Sequence, residues 1–577
     1  MAVTALPRAI GRFEFRTCPA TTLKVDVAAE RLIIVNAVAA VVTLALGGLG
    51  ALLLALTRWQ AVHLLPPDWF YRVLTAHGFD MLVAWIVFFE VAGLYFGGAI
   101  LLNARLILPK LGWLGFILMA VGAVIVNAIV LLGQADVMFT AYVPLKAHPL
   151  FYLGVILFAV GALIAVGLFF ATITVAKLER RYEGSVPLVT YGLIAAAIIA
   201  VYTLLSGAIA FVPAFLWSLG ILPELDPGFF RNVFWSFGHP AQQINLSAMV
   251  AVWYALAALT VGAVPLNEKL SRLAFVLYIL FINLGSAHHL LTDPGPSFLW
   301  KATNTSYAMY LAVLGSMIHA FSIPGAIEVA QRRKGFTRGA FEWLRKGPWR
   351  EPGFSSLVIS MILFGWVGGV TGVTIGTEQI NMLAHNTLRI PGHFHATVVS
   401  GTTLAFMGLT YYLIPLIFRK ELKLKKLASW QPYLFGIGML LVSVGMIGSG
   451  LQGTPRRQWD ITFTNAPLQA TLPGATQITL AIMGIGALIA IIGGIMYLLV
   501  VLASVFTGPR VEAKRLTLVM AQANPLVDDV IPNMNKELHG SKLQPRGALI
   551  LVFAFLVFFM SYYLFNWWLL GRAWIIR

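Results

Sequence analysis

The stretch PGHFHATVVSGTTLAFMGLTYYLIPLIF, Pro391 to Phe418, decides how this chain is read. It opens with two histidines, His393 and His395, and continues as an apolar run long enough to cross a bilayer. Imidazole is the commonest protein ligand for metals, and a polar side chain inside lipid is costly enough to imply a function. Residues two apart on a helix are separated by about 200° in azimuth. His393 and His395 therefore project from opposite faces, and each can serve a different metal centre.

Twelve further runs of this kind begin near Arg31, Val73, Lys110, Leu150, Pro187, Val233, Leu270, Trp300, Gly353, Gln431, Pro473 and Ala548. Of the 577 residues, 59% are hydrophobic and only 11% charged, against roughly 25% charged in a soluble protein. Only helices or closed barrels span lipid. The expected fold is therefore an all-α integral membrane protein of about thirteen transmembrane helices. No soluble domain is evident: residues 1–30 form a tail, and residues 31–577 form one transmembrane domain. Thirty of the 40 Lys and Arg residues fall in the tail and the alternate loops on its side. By the positive-inside rule the N-terminus is cytoplasmic and the C-terminus outside. The net charge of +17 then reflects cytoplasmic loops facing lipid, not nucleic-acid binding. Cys18 is the only cysteine, so a dithiolate copper centre or covalent haem must sit on a partner.

That topology brings more histidines to the level of His393 and His395. His77 lies in the first turns of the second span and His239 two turns into the sixth. His288 and His289 end the seventh. Four helices thus carry six histidines to one layer near the outer face; the other five, His63, His148, His319, His385 and His539, show no comparable grouping. His77 is a natural second axial ligand for one of the pair on span ten, giving a six-coordinate haem, while a second haem keeps an open position. His288 and His289 reach a single ion if the helix loosens at its end. With His239 they supply three imidazoles, suited to copper or iron. Arg456 and Arg457 are apt partners for haem propionates. Asp80 and Glu90 are membrane acids that fit a proton or quinol path as well as structural pairing. Thirteen spans alone also fit a proton-coupled transporter, but paired ligands on opposite faces of one helix do not favour it.

Gly238-His239-Pro240, His288-His289 followed by Thr292-Asp293-Pro294-Gly295, and His385-Asn386-Thr387 running into Pro391-Gly392-His393-Phe394-His395 resemble the motifs of the haem–copper oxidase superfamily. The thirteen spans and Pro455-Arg456-Arg457 most resemble its B-type branch, bacterial and archaeal enzymes of the cytoplasmic membrane. The resemblance implies that His77 and His395 ligate a low-spin haem, His393 a high-spin haem, and His239, His288 and His289 the second metal of a binuclear site. It also implies a gaseous substrate and a second subunit, cupredoxin-like or cytochrome c-like, delivering electrons on the outer side.

The sequence departs from this pattern one turn beyond His239. B-type oxygen reductases carry there a tyrosine joined to that histidine, which gives dioxygen an electron and a proton. Gln243 stands in its place, and an amide offers neither. Nitric oxide reductases of the superfamily also lack the tyrosine. Gln243 offers a carbonyl oxygen one turn from His239, which would favour iron over copper. The family's proton-conducting hydroxyls from the cytoplasm fall, counted without gaps, on Val250, Gly315 and Ile318, with only Tyr254 kept. The expectation is a nitric oxide reductase (2 NO + 2 e⁻ + 2 H⁺ → N₂O + H₂O) with two haems and a non-haem iron. It would take protons from outside and generate little membrane potential. The alternative is an atypical oxygen reductase with copper at that site.

Overall fold

A computed structural model describes residues 14–18, 23–182, 184–511 and 544–573. Most of the expected N-terminal tail and of the loop before the last span lies outside these residues. A short hairpin, β1 (Phe15–Thr17) against β2 (Lys24–Asp26), precedes the bundle. Its last residue, Asp26, caps the first helix by accepting from the Ala29 amide at 3.1 Å, satisfying one of the donors a helix start leaves free.

Thirteen spans follow: α1 (Val27–Arg58), α2 (Pro67–Ile100), α3 (Pro109–Leu131), α4 (Pro149–Leu178), α5 (Leu188–Ser218), α6 (Pro227–Val261), α7 (268–289), α8 (Phe298–Arg333), α9 (Pro352–Ile375), α10 (Arg389–Phe418), α11 (Lys425–Leu451), α12 (Ala475–Thr507) and α13 (Arg546–Ala573). All but α7 are, among the described residues, single helices long and apolar enough to cross a membrane. Proline opens α2, α3, α4, α6 and α9, where its missing N–H costs nothing.

α7 is composite: α-helical over Glu268–Leu277, π over Tyr278–Ile282 and 3-10 over Asn283–His289. Its end tightens where the sequence suggested loosening, because a helix terminus without further i→i−4 partners closes with shorter turns. Wide turns also interrupt α2 at Asp80–Ala84, α9 at Leu363–Gly369 and α10 at His395–Thr403. These helices surround the large cavity at the bundle's centre, in keeping with the tendency of such turns to mark functional sites.

Elsewhere the helices pack by bare backbone contact. A side chain added at Gly438, Gly445, Gly486 or Gly493 would run into the backbone of the facing helix, α12 or α11. Lipid gives two helices no hydrophobic reason to associate, so small residues that allow close approach supply the contact area instead. α13 is the exception, with little of its surface buried. Glu328 of α8, fully buried, fastens its N-terminus by accepting from the amides of Gly547 at 3.0 Å and Ala548 at 2.6 Å and pairs with Arg332 at 2.7 Å.

Candidate metal centres

All six layered histidines, Gln243, Arg456 and Arg457 line one cavity of about 1140 Å³. That exceeds the roughly 300–1,000 Å³ of a site for one small ligand.

His77 on α2 and His395 on α10 face each other across part of it. Their ring centres are 6.3 Å apart and their planes 15° from parallel. Two metal–imidazole bonds of about 2 Å each, plus the ring radii, account for a separation of that size. Each ring is fixed by its other nitrogen: Nδ1 of His77 lies 2.9 Å from the Gly47 carbonyl, and Nδ1 of His395 lies 2.7 Å from the Pro391 carbonyl. A carbonyl can only accept, so Nδ1 carries the proton and Nε2 keeps a lone pair, the form that binds metal. His393 is held in the same way, with Nδ1 2.9 Å from the Gly368 carbonyl. Gly372 leaves the room: a Cβ there would strike the His393 ring. The donor set and its tautomers fit two haems, one between two imidazoles and one with a single imidazole.

His239, His288 and His289 form a tighter group, with one nitrogen of each within 4.8 Å of the others. Nδ1 of His239 faces Nε2 of His289 at 3.0 Å. The His288 ring stands edge-on to His239 at 4.2 Å. Three convergent imidazoles and no thiolate suit copper or iron.

Gln243 lies against His239, one helical turn on, as the spacing requires. Its amide is 2.9 Å from Nε2 of His239, the nitrogen opposite the one turned to His289. One imidazole cannot give both nitrogens to one ion. With Nδ1 turned to the cluster, Gln243 meets the ring at its opposite nitrogen, and its own Oε1 has no protein partner. A metal on Nδ1 would leave the proton on Nε2, and the amide, turned over so that its oxygen and nitrogen exchange places, would accept it.

The group lies against aromatic rings that the sequence did not single out. Trp235, one turn before His239, stacks on His289 at 3.7 Å with planes 3° apart and donates from its ring nitrogen to the Tyr142 hydroxyl at 2.8 Å. Arg231 and Arg457 both lie over the Tyr142 ring. Arg456 is held by its backbone amide, which donates to the Asn386 carbonyl at 2.8 Å. Arg58 of α1, buried, donates to the Arg456 carbonyl. Burial, with Arg457 beside it, pushes the Arg456 guanidinium down to about 9, and its Nε has no protein partner. Arg231 is neutralised by Asp293 at 2.7 Å, whereas Arg456 and Arg457 form no ion pair among the described residues; two adjacent cations left so suit a bound anion such as a propionate. His385, left ungrouped in the sequence, lines this part of the cavity; burial first and Arg456 second push its imidazole down to about 4, so it is neutral at physiological pH. Its place in the His385-Asn386-Thr387 motif was the available signal; nothing in sequence marked Arg58, whose loop partner is almost four hundred residues away.

The apolar positions Val250, Gly315 and Ile318 do not leave the lower bundle without polar groups. Tyr254 bonds Ser271 and His319, and Tyr278 bonds Ser316. The polar side chains are there, displaced by a residue from where an ungapped count looked. Asp80 accepts from Asn127 at 2.8 Å, which is structural pairing. Glu90 is buried with one oxygen unpartnered.

The chain matches, over residues 31–489, the family model described as cytochrome c and quinol oxidase polypeptide I. It is 30% identical over 477 residues to cytochrome c oxidase subunit 1 of Thermus thermophilus, covering 78% of this chain and 82% of that one. It is 23% identical over 487 residues to quinol oxidase subunit 1 of Bacillus subtilis, covering 80% and 70%. A solved haem–copper terminal oxidase dimer superposes with a TM-score of 0.78 at 26% identity, over 92% of each chain. Six histidines in one membrane layer, two facing rings spaced for a metal and a matching family model have one common reading: the chain belongs to the haem–copper oxidase subunit I family, the haem-dependent oxidoreductases that work in membranes with other subunits.

Proposed function

We propose that this chain is the catalytic subunit of a nitric oxide reductase, taking two NO, two electrons and two protons to N₂O and water. The observation that carries this reading is Gln243, whose amide touches Nε2 of His239 where an oxygen reductase would present a phenol. Among the described residues, no tyrosine hydroxyl bonds to His239, His288 or His289. Reduction of NO needs no protein-derived electron of that kind.

In this reading His77 and His395 hold the low-spin haem, His393 the high-spin haem, and His239, His288 and His289 a non-haem iron. When bound, the two metals of the binuclear site supply Lewis acidity and electrons to the bound gas. The chain contributes the rest. The carbonyls of Gly47, Pro391 and Gly368 fix imidazole tautomers, Gln243 orients His239, and Arg456 and Arg457 bind propionates. Apolar walls exclude bulk water. Residues 31–577 act as one catalytic domain in a bacterial or archaeal cytoplasmic membrane, N-terminus inside. A cupredoxin-like or cytochrome c-like subunit delivers electrons at the histidine end.

The second reading is an oxygen reductase, favoured by the relatives' names and by Trp235. A tryptophan flat on a candidate metal ligand and bonded to Tyr142 is an oxidisable pair one ring from the site. Metal analysis of the purified complex, with NO and O₂ turnover, decides between them. Iron with no copper beside these histidines, and NO turnover, supports the proposal; copper in this chain with rapid O₂ turnover overturns it.

A further inference from the structure

Away from the histidine layer the cavity continues toward the other end of the bundle as an apolar arm. Pro324 and Ile327 of α8, Ile362 and Gly365 of α9, and Leu551 and Phe555 of α13 line it. Trp343 and Leu344, in the loop between α8 and α9, line its end. The arm is open at the side. Ile362 and Leu556 both line the cavity, yet they are 48% and 37% exposed. Each lies ten residues after the start of its helix, roughly 15 Å in at 1.5 Å per residue. The mouth therefore lies at the depth of lipid chains, between α9 and α13. Trp366 of α9 meets Phe555 and Phe558 of α13 there, with ring centres 5.6 and 5.4 Å apart.

The loop at this end presents one sign of charge. Arg333, Lys334, Arg338, Arg345, Lys346 and Arg350 are exposed and form no ion pair among the described residues. The acids beside them are engaged elsewhere. Glu328 pairs with Arg332, Glu342 accepts from the Arg338 amide at 2.6 Å, and Glu351 accepts from the Tyr412 hydroxyl at 2.6 Å. The loop is held by its own tryptophans. Trp343, 2% exposed, donates to the Ala340 carbonyl at 2.8 Å, and Trp349 donates to the Leu344 carbonyl at 2.7 Å. Arg345 and Lys346 directly follow Leu344, so they stand beside the end of the arm. Unpaired cations next to an apolar slot match an amphiphile with an anionic head and a hydrocarbon chain.

We propose that this arm is a binding site for an anionic phospholipid, its phosphate held by the loop at Arg345 and Lys346. One acyl chain passes between α9 and α13 into the arm. A mouth about 15 Å deep lies within half of a hydrocarbon core of about 30 Å, so the chain enters from the leaflet that the loop faces. The chain supplies packing contacts to the inner face of α13 that the protein does not. The inference does not depend on whether the reductase takes NO or O₂.

The test is native mass spectrometry of the complete enzyme in detergent, given phosphatidylglycerol or phosphatidylcholine with identical acyl chains. Wild type should retain one phosphatidylglycerol and release phosphatidylcholine; glycerol phosphate, the head without a chain, should not bind. Arg345→Gln with Lys346→Gln removes two charges, each worth about fivefold near an anionic head group. Retention of phosphatidylglycerol should weaken roughly 25-fold, with haem spectra unchanged. Ile362→Trp, at the exposed mouth, should bar the chain and abolish retention of either lipid. Wild type that retains both lipids equally, or neither, overturns the proposal. So does a folded variant of either kind that holds phosphatidylglycerol as wild type does.

Discussion

At the scale of single residues, the candidate centres depend on which nitrogen each imidazole offers. His77 and His395 are committed by backbone carbonyls to presenting Nε2. Replacing either with Ala should abolish the bis-imidazole low-spin haem spectrum while the protein still inserts; a surviving low-spin signal would show that another residue is the ligand. Gln243 tests the other centre. Gln243→Leu removes the acceptor for the proton on Nε2 of His239, and loss of such a supporting bond typically weakens metal binding by about 10–100-fold. Metal titration and content of the purified variant read this directly, and unchanged affinity would mean that Gln243 merely fills space. All six histidines were legible in the sequence as one group, because four helices of alternating direction place them at one level. The orientation of Gln243 was not. One-turn spacing puts its side chain near His239 without telling which edge of the ring it meets.

At the scale of elements, twelve of the thirteen expected spans were legible from apolar run length, since lipid demands about twenty apolar residues per helix, and only the composite α7 falls short of that measure among the described residues. What escaped were the changes of helix type. α7 passes from α to π to 3-10 within 268–289, and no residue pattern announces it, because the cause is packing against neighbours. The polar series around His319 escaped for the same reason. Counting along α6 and α8 found Val250, Gly315 and Ile318 apolar, while Tyr278 from α7 and the next residues along α8 supply the groups. α13 gives a prediction at this scale. Its N-terminus is fastened by Glu328, and removing one partner of a buried, hydrogen-bonded ion pair costs about 3–5 kcal/mol. Glu328→Ala should therefore lower thermal stability in detergent and open the last span to proteolysis near Arg546, with the haem spectrum retained. A variant as protease-resistant as wild type would mean that α13 is held by other contacts.

At the scale of the whole molecule, both candidate haem sites, the three-histidine group and the polar series open on one cavity. That has a consequence for how the protein comes to exist. An unfilled void costs about 24 cal/mol per Å³ in well-packed proteins. Helices that surround about 1140 Å³ forgo packing contacts that a bound cofactor would supply. A group that binds the folded bundle alone stabilises it, which predicts that haem delivery accompanies assembly. Cells starved of haem synthesis should accumulate little of this chain in the membrane, the newly made copies being degraded, and pulse-labelling with and without a haem precursor would show it. Biogenesis, on this account, is limited by the supply of haem as much as by translation.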